Sequence, residues 1–209
     1  MHRNFAHFLW LVLLSLSAAA FAQDEFSADM YNAQSGKDLV SQGKIYMAKD
    51  KMRMEPRQQS GGGGVLIVNL ATQTTAMLMP GQKMYMEMPY GQGPQRQSFN
   101  FFRTGDVSNA CGDWQKLATN RGGTCRKVGS ETVNGRSTIK YEGTKADGET
   151  SYVWLDPSLR FPVKWQGKNG AGELRNINVG SQPASLFEIP AGYQKMQMPM
   201  GMPPNMQHP

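Results

Sequence analysis

The residues best able to bind something in this 209-residue chain are its sulfur-bearing ones. Of 15 methionines, all but Met1 lie beyond residue 22. The C-terminal run Met196-Gln-Met-Pro-Met-Gly-Met202, followed by Met206 and His208, gathers Met196, Met198, Met200, Met202, Met206 and His208 into one short stretch. Thioethers are soft donors suited to Cu(I), and an imidazole can join them, so this stretch is a candidate copper site. The competing reading is a solvated polyproline-like tail, because Pro199, Pro203, Pro204 and Pro209 punctuate it. The two cysteines, Cys111 and Cys125, offer a second chemistry. In an oxidising compartment an even count favours pairing, which here closes a loop of about 15 residues and contributes roughly 3 kcal/mol. A thiol redox pair fits less well, since the spacing is not Cys-x-x-Cys and no histidine lies nearby.

Other chemistries are poorly supplied. The chain has 3 histidines, and His208 alone lies beyond residue 22. That scarcity argues against multi-histidine zinc sites and against Ser-His-Asp catalysis, so no catalytic residue is assigned and no enzyme is expected. Glu87 and Glu142 read as wet-face charges. The Gly61 to Gly64 run lacks the Gly-Lys-Ser/Thr ending of a phosphate loop. Net charge is +6, and the basic stretch Lys49, Lys51, Arg53, Arg57 is interrupted by Asp50 and Glu55, which does not suit nucleic acid. Arg160, Lys164, Lys168 and Arg175 would form a basic rim for anionic head groups if the fold makes them converge.

The elements that must position these residues begin after an export signal. Residues 1–22 hold a basic start, the apolar run Phe8 to Leu14, and the small-x-small ending Ala20-Phe-Ala22, so cleavage is expected after Ala22. No later segment is apolar and long enough to span a bilayer as a helix, and the expected location is the periplasm. Residues 23–195 then read as one β domain and 196–209 as a Met/Pro-rich tail.

Alternation of period two dominates the domain. Phe26, Ala28 and Met30 share one side of a predicted strand, and Ile45 with Met47 and Met52 with Met54 define a hairpin turning at Lys49-Asp50. Val65 to Leu70 and Thr74 to Met79 follow, then a Pro80-Gly81 turn and a strand in which Met84, Met86 and Met88 line one face. Trp114-Gln-Lys-Leu-Ala118 predicts a short helix between the cysteines. Asn134-Gly135, Asp147-Gly148 and Asn169-Gly170 mark turns between further strands, and Pro162 favours a strand start or an edge. Ser185 to Ile189 is expected to be the last ordered element. The fold class is therefore mainly β, with one or two short helices.

Taken in order, Phe26-Ser-Ala-Asp-Met30, Gly43-Lys-Ile-Tyr-Met47, Lys51-Met-Arg-Met-Glu55, Lys83-Met-Tyr-Met-Glu-Met88, Glu131-Thr-Val-Asn-Gly-Arg136 and Ser185-Leu-Phe-Glu-Ile-Pro-Ala-Gly-Tyr193 resemble the exported DUF4412-type proteins. That group is similar to the lipoprotein carrier and receptor superfamily of bacterial envelopes. The resemblance implies a strongly curved antiparallel sheet or incomplete β-barrel whose concave side accepts acyl chains. Phe26, Met30, Met52, Met54, Met84, Met86 and Met88 are then candidates for an apolar cavity, where flexible methionines adapt to a guest; equally, they could fill a closed core. The expected function is noncatalytic binding of a lipid, an acyl group or an envelope lipoprotein, without a cofactor. The alternatives are copper binding by the C-terminal methionines and a purely structural envelope role.

Overall fold

The computed structural model describes residues 25–57, 64–90, 105–116 and 122–196. Twelve strands occur there: β1 (Phe26–Gln34), β2 (Val40–Met47), β3 (Lys51–Pro56), β4 (Val65–Asn69), β5 (Thr74–Met79), β6 (Met84–Pro89), β7 (Thr124–Val133), β8 (Arg136–Thr144), β9 (Thr150–Asp156), β10 (Phe161–Gly167), β11 (Gly170–Val179) and β12 (Gln194–Lys195). One helix, α1 (Ala110–Lys116), and 3-10 turns at Pro80–Gln82 and Ala184–Phe187 complete the described elements. The mainly β class and the short helix read from the sequence are both found. The helix begins four residues before Trp114, so that it includes Cys111.

All twelve strands join one sheet in the order β12-β6-β5-β4-β3-β2-β1-β11-β10-β9-β8-β7. Neighbours are antiparallel except β12, which runs parallel to β6. The sheet does not close into a β-barrel, which corrects the barrel reading of the expected curved sheet or incomplete barrel: the order is linear, with β12 at one end and β7 at the other. The ends are unsuited to pairing with each other. β12 has two residues, and β7 is mostly exposed and carries Arg126, Lys127 and Glu131, charges that blunt an edge against further strand addition.

Turn chemistry sets the hairpins. Asn134 and Gly135 both take positive φ (47° and 78°), the two-residue geometry that matches strand twist. At the β4–β5 turn the Asn69 side chain accepts hydrogen bonds from the Ala71 and Thr72 amides. Pro162 sits at the start of β10, where β9 pairs with it but pairing with β11 begins only at Lys164, so its missing N–H breaks no ladder on that side.

The register from β1 to β6 puts Phe26, Ala28, Met30, Ile45, Met47, Met52, Met54, Leu66, Val68, Met77 and Met86 on one face. There all of them but Met86 join Leu159, Phe161, Val163, Leu174 and Trp154 in the main core. Phe26 and Phe161 meet edge-to-face at 5.5 Å between centroids. Burying each such side chain stabilises the fold by about 1.5–3 kcal/mol. β4 is apolar without alternation because both of its faces are covered: Leu66 and Val68 enter the main core, whereas Val65 and Ile67 pack under Phe187, Leu186 and Ile189 of the C-terminal segment. A third cluster lies beneath α1, where Ala110 meets Tyr141 and Leu155.

Candidate functional site

α1 is too short to be stable alone and is held to the sheet from outside. Cys111 on the helix and Cys125 on β7 form the expected disulfide, with Cα atoms 5.4 Å apart. The Tyr141 hydroxyl donates to the Val107 carbonyl at 2.8 Å, tying the segment before the helix to β8. Burial raises the Tyr141 pKa, which keeps this hydroxyl a donor at neutral pH. Trp114 then lies against Gly143, where a Cβ atom would fall 2.7 Å from the indole ring. Trp165 has the same relation to Gly172, at 2.4 Å. In both places a strand glycine leaves room for a tryptophan to lie close to the sheet.

Between α1 and strands β8–β10 this arrangement leaves a cavity of about 290 Å³. Trp114, Tyr141, Gly143, Val153 and Trp165 give it an apolar and aromatic wall, and Glu149, Ser151, Gln166 and Lys168 add polar groups. Its size is near the lower end of small-ligand sites. Two of the polar groups are engaged with the protein: Glu149 pairs with Lys145 at 3.1 Å, and the Ser151 hydroxyl donates to the Gly143 carbonyl at 3.5 Å. The lining supplies shape and apolar contact, and Ser151 has no base beside it among the bonds that hold it.

The seven sequence-derived cavity candidates lie elsewhere. Phe26, Met30, Met52, Met54 and Met88 are between 0% and 7% exposed and sit in the packed face of the sheet, whereas Met84 and Met86 on β6 are partly exposed. None of the seven lines the cavity beneath α1. Of the copper candidates, Met196 donates its amide to the Tyr85 carbonyl at 2.8 Å and is partly buried. Met198, Met200, Met202, Met206 and His208 fall outside the described residues, as do residues 1–22, the expected export segment. Among the described residues no group of three His, Cys, Asp or Glu side chains could hold a metal.

Of the four basic residues proposed as a rim, Lys164 and Arg175 flank Glu173, which pairs with Lys164 across the strands and contacts the Arg175 guanidinium. Lys164 stands over the Trp154 ring at 4.6 Å, Arg175 over Tyr31 at 4.4 Å, and Lys168 borders the cavity. A ring contact holds Lys164, and a ring contact together with the Glu173 carboxylate holds Arg175. Sequence reading missed the Trp114–Gly143 and Trp165–Gly172 pairs. Their only sequence signal is a glycine inside a strand, which becomes informative once the facing residue is known.

No protein-family model matches the chain, and no curated protein matches it. Solved structures do. An uncharacterised conserved protein from Thermus thermophilus superposes with a TM-score of 0.52 at 9% identity, over 83% of this chain and 90% of that one. The MucA/MucB complex of Pseudomonas aeruginosa gives 0.47 at 18% identity, over 80% of this chain and 58% of that one. A putative outer membrane lipoprotein-sorting protein domain from Vibrio parahaemolyticus gives 0.35 at 12% identity, over 78% and 88%. At these identities the likeness concerns the fold alone, and of the three the first bears on it. No helix among the described residues is long and apolar enough to cross a membrane.

Proposed function

We propose that this chain is an exported, noncatalytic binding protein of the bacterial periplasm, related to the DUF4412-type group, that accepts an apolar moiety such as the acyl chain of a lipid or envelope lipoprotein. The division into an export segment 1–22, a binding domain 23–195 and a tail 196–209 belongs to the same reading. The observation that carries it is the cavity of about 290 Å³ beneath α1, because its wall is apolar and aromatic and its roof is stapled in place by Cys111–Cys125. A preformed apolar cavity with a few polar groups at its margin is the usual design of a small-ligand site. The methionine face offers a second location for the same guest through Met84, Met86 and Met88.

The experiment pairs native mass spectrometry of protein recovered from its own envelope with acyl-probe titration of the delipidated protein. Ser151→Phe, which fills the cavity, should weaken the probe by about tenfold or more if the guest occupies it. Met86→Gln should have that effect instead if the guest lies on the methionine face. A delipidated protein that binds no acyl probe, recovered without lipid or lipoprotein, leaves the structural envelope role as the better reading.

A further inference from the structure

The face of the sheet that carries the main core changes character toward its β12 end. On β5 and β6 every residue of that face except Thr75 is methionine: Met77 and Met79 on β5, Met84, Met86 and Met88 on β6. The opposite face of the same strands uses Ala76, Leu78 and Tyr85, so ordinary apolar residues suffice for packing in this part of the sheet. Met88 is buried, whereas Met77, Met79, Met84 and Met86 are all partly exposed.

The register makes these four a cluster. Met77 is directly opposite Met86, and Met79 is directly opposite Met84. Directly opposed side chains have Cβ atoms about 5 Å apart, and the two pairs are offset along the strands by about 7 Å. β12 adds a fifth member. Gln194 pairs with Met84 and Lys195 with Tyr85, and the Met196 amide donates to the Tyr85 carbonyl, so the next residue in the ladder, Met196, stands beside Met86 on the same face. Consistent with this, Lys195 reaches Glu87 on the opposite face at 3.2 Å.

From this juxtaposition we infer that Met77, Met79, Met84, Met86 and Met196 form a thioether site for a soft monovalent metal ion, Cu(I). Each thioether rides on three rotatable bonds, so sulfurs from neighbouring strands can converge on one point above the sheet. A neutral, all-sulfur donor set prefers Cu(I) to the harder divalent cations, which find no cluster of carboxylates or imidazoles among the described residues. The sheet, rather than the tail alone, then supplies the ligands, and Met196 joins them from the end of the β12 ladder.

The test is anaerobic titration of the full chain with Cu(I) against a competing chelator, repeated with the redox-inert probe Ag(I). Met84→Leu/Met86→Leu keeps volume and apolarity but removes two thioethers, so folding should be retained while metal affinity falls by about tenfold or more. A chain ending at Met196 should bind metal as the full chain does. Ag(I) should also shift the Met ε-methyl NMR signals of Met77, Met84 and Met86, a readout independent of the variants' stability. Undiminished affinity in the leucine variant, loss of binding on truncation after Met196, or failure of the full chain to bind either ion would each overturn the inference. None of these outcomes decides binding in the cavity under α1, whose lining includes none of these five methionines.

Discussion

Trp114 of α1 rests on Gly143 of β8 so closely that a single added methyl group would stand 2.7 Å from the indole. The contact links the helix to the sheet beneath it, and it forms one wall of the cavity. Gly143→Ala must therefore either push the ring away or lift the helix. Overpacking of this kind costs about 1–3 kcal/mol. The expected outcome is a lower thermal midpoint, a changed tryptophan emission and weaker acyl-probe binding, with Cys111–Cys125 still formed. Unchanged emission and an unchanged midpoint would show that the ring does not lie there.

The hairpins around Lys49-Asp50 and Asn134-Gly135 were legible because alternation and turn residues act over neighbouring positions. So was the shared face of Met52, Met54, Met84, Met86 and Met88, because a period of two fixes side without knowledge of the partner strand. What lay beyond reach was set by distant partners. Gln194 and Lys195 carry no apolar pattern, and they become a strand only because the β6 edge offers carbonyls and amides to them. The barrel reading failed for a related reason: strand patterns record which face is buried, while tilt and register stagger decide whether a sheet curls toward a barrel. The site under α1 depends on residues as far apart as Trp114 and Trp165, which no local spacing connects.

Acid should act first where carboxylates are held by specific donors. Lys140 at 2.9 Å and the Trp154 indole N–H at 2.6 Å hold the Glu131 carboxyl below the usual glutamate range, and the Asn176 amide followed by Lys44 does the same for Asp29. A depressed folded-state pKa means that the contribution to stability is fully present above the unfolded value, about 4, and is lost as pH falls through the folded value. Stability should thus be flat from neutral pH to about 5 as far as these groups are concerned, then decline below 4. Glu131 also reports locally, since its protonation weakens the acceptor of the Trp154 N–H. Tryptophan emission followed against pH should show a step below the usual glutamate range that Glu131→Gln removes; a step that survives the substitution would assign it to another group.

The described C-terminal segment, residues 183–196, is part of the fold. Phe187 is 7% exposed over Val65, Ile67, Ala76 and Leu78, and Arg53 donates to the Leu186 carbonyl at 2.9 Å, so Ala184–Phe187 roofs the second face of β4 and β5. β12 then covers the β6 edge that would otherwise present unpaired backbone groups. Phe187→Ala should cost about 3 kcal/mol, the lower part of the range for removing a buried aromatic side chain, because the site borders solvent. Deleting residues 183–209 should do more, exposing the Ile67–Leu78 surface and the β6 edge together, with dye binding and self-association as the visible result. Thermal unfolding of the three chains side by side decides the point: equal midpoints for the 183–209 deletion and the full chain would mean that the roof contributes nothing.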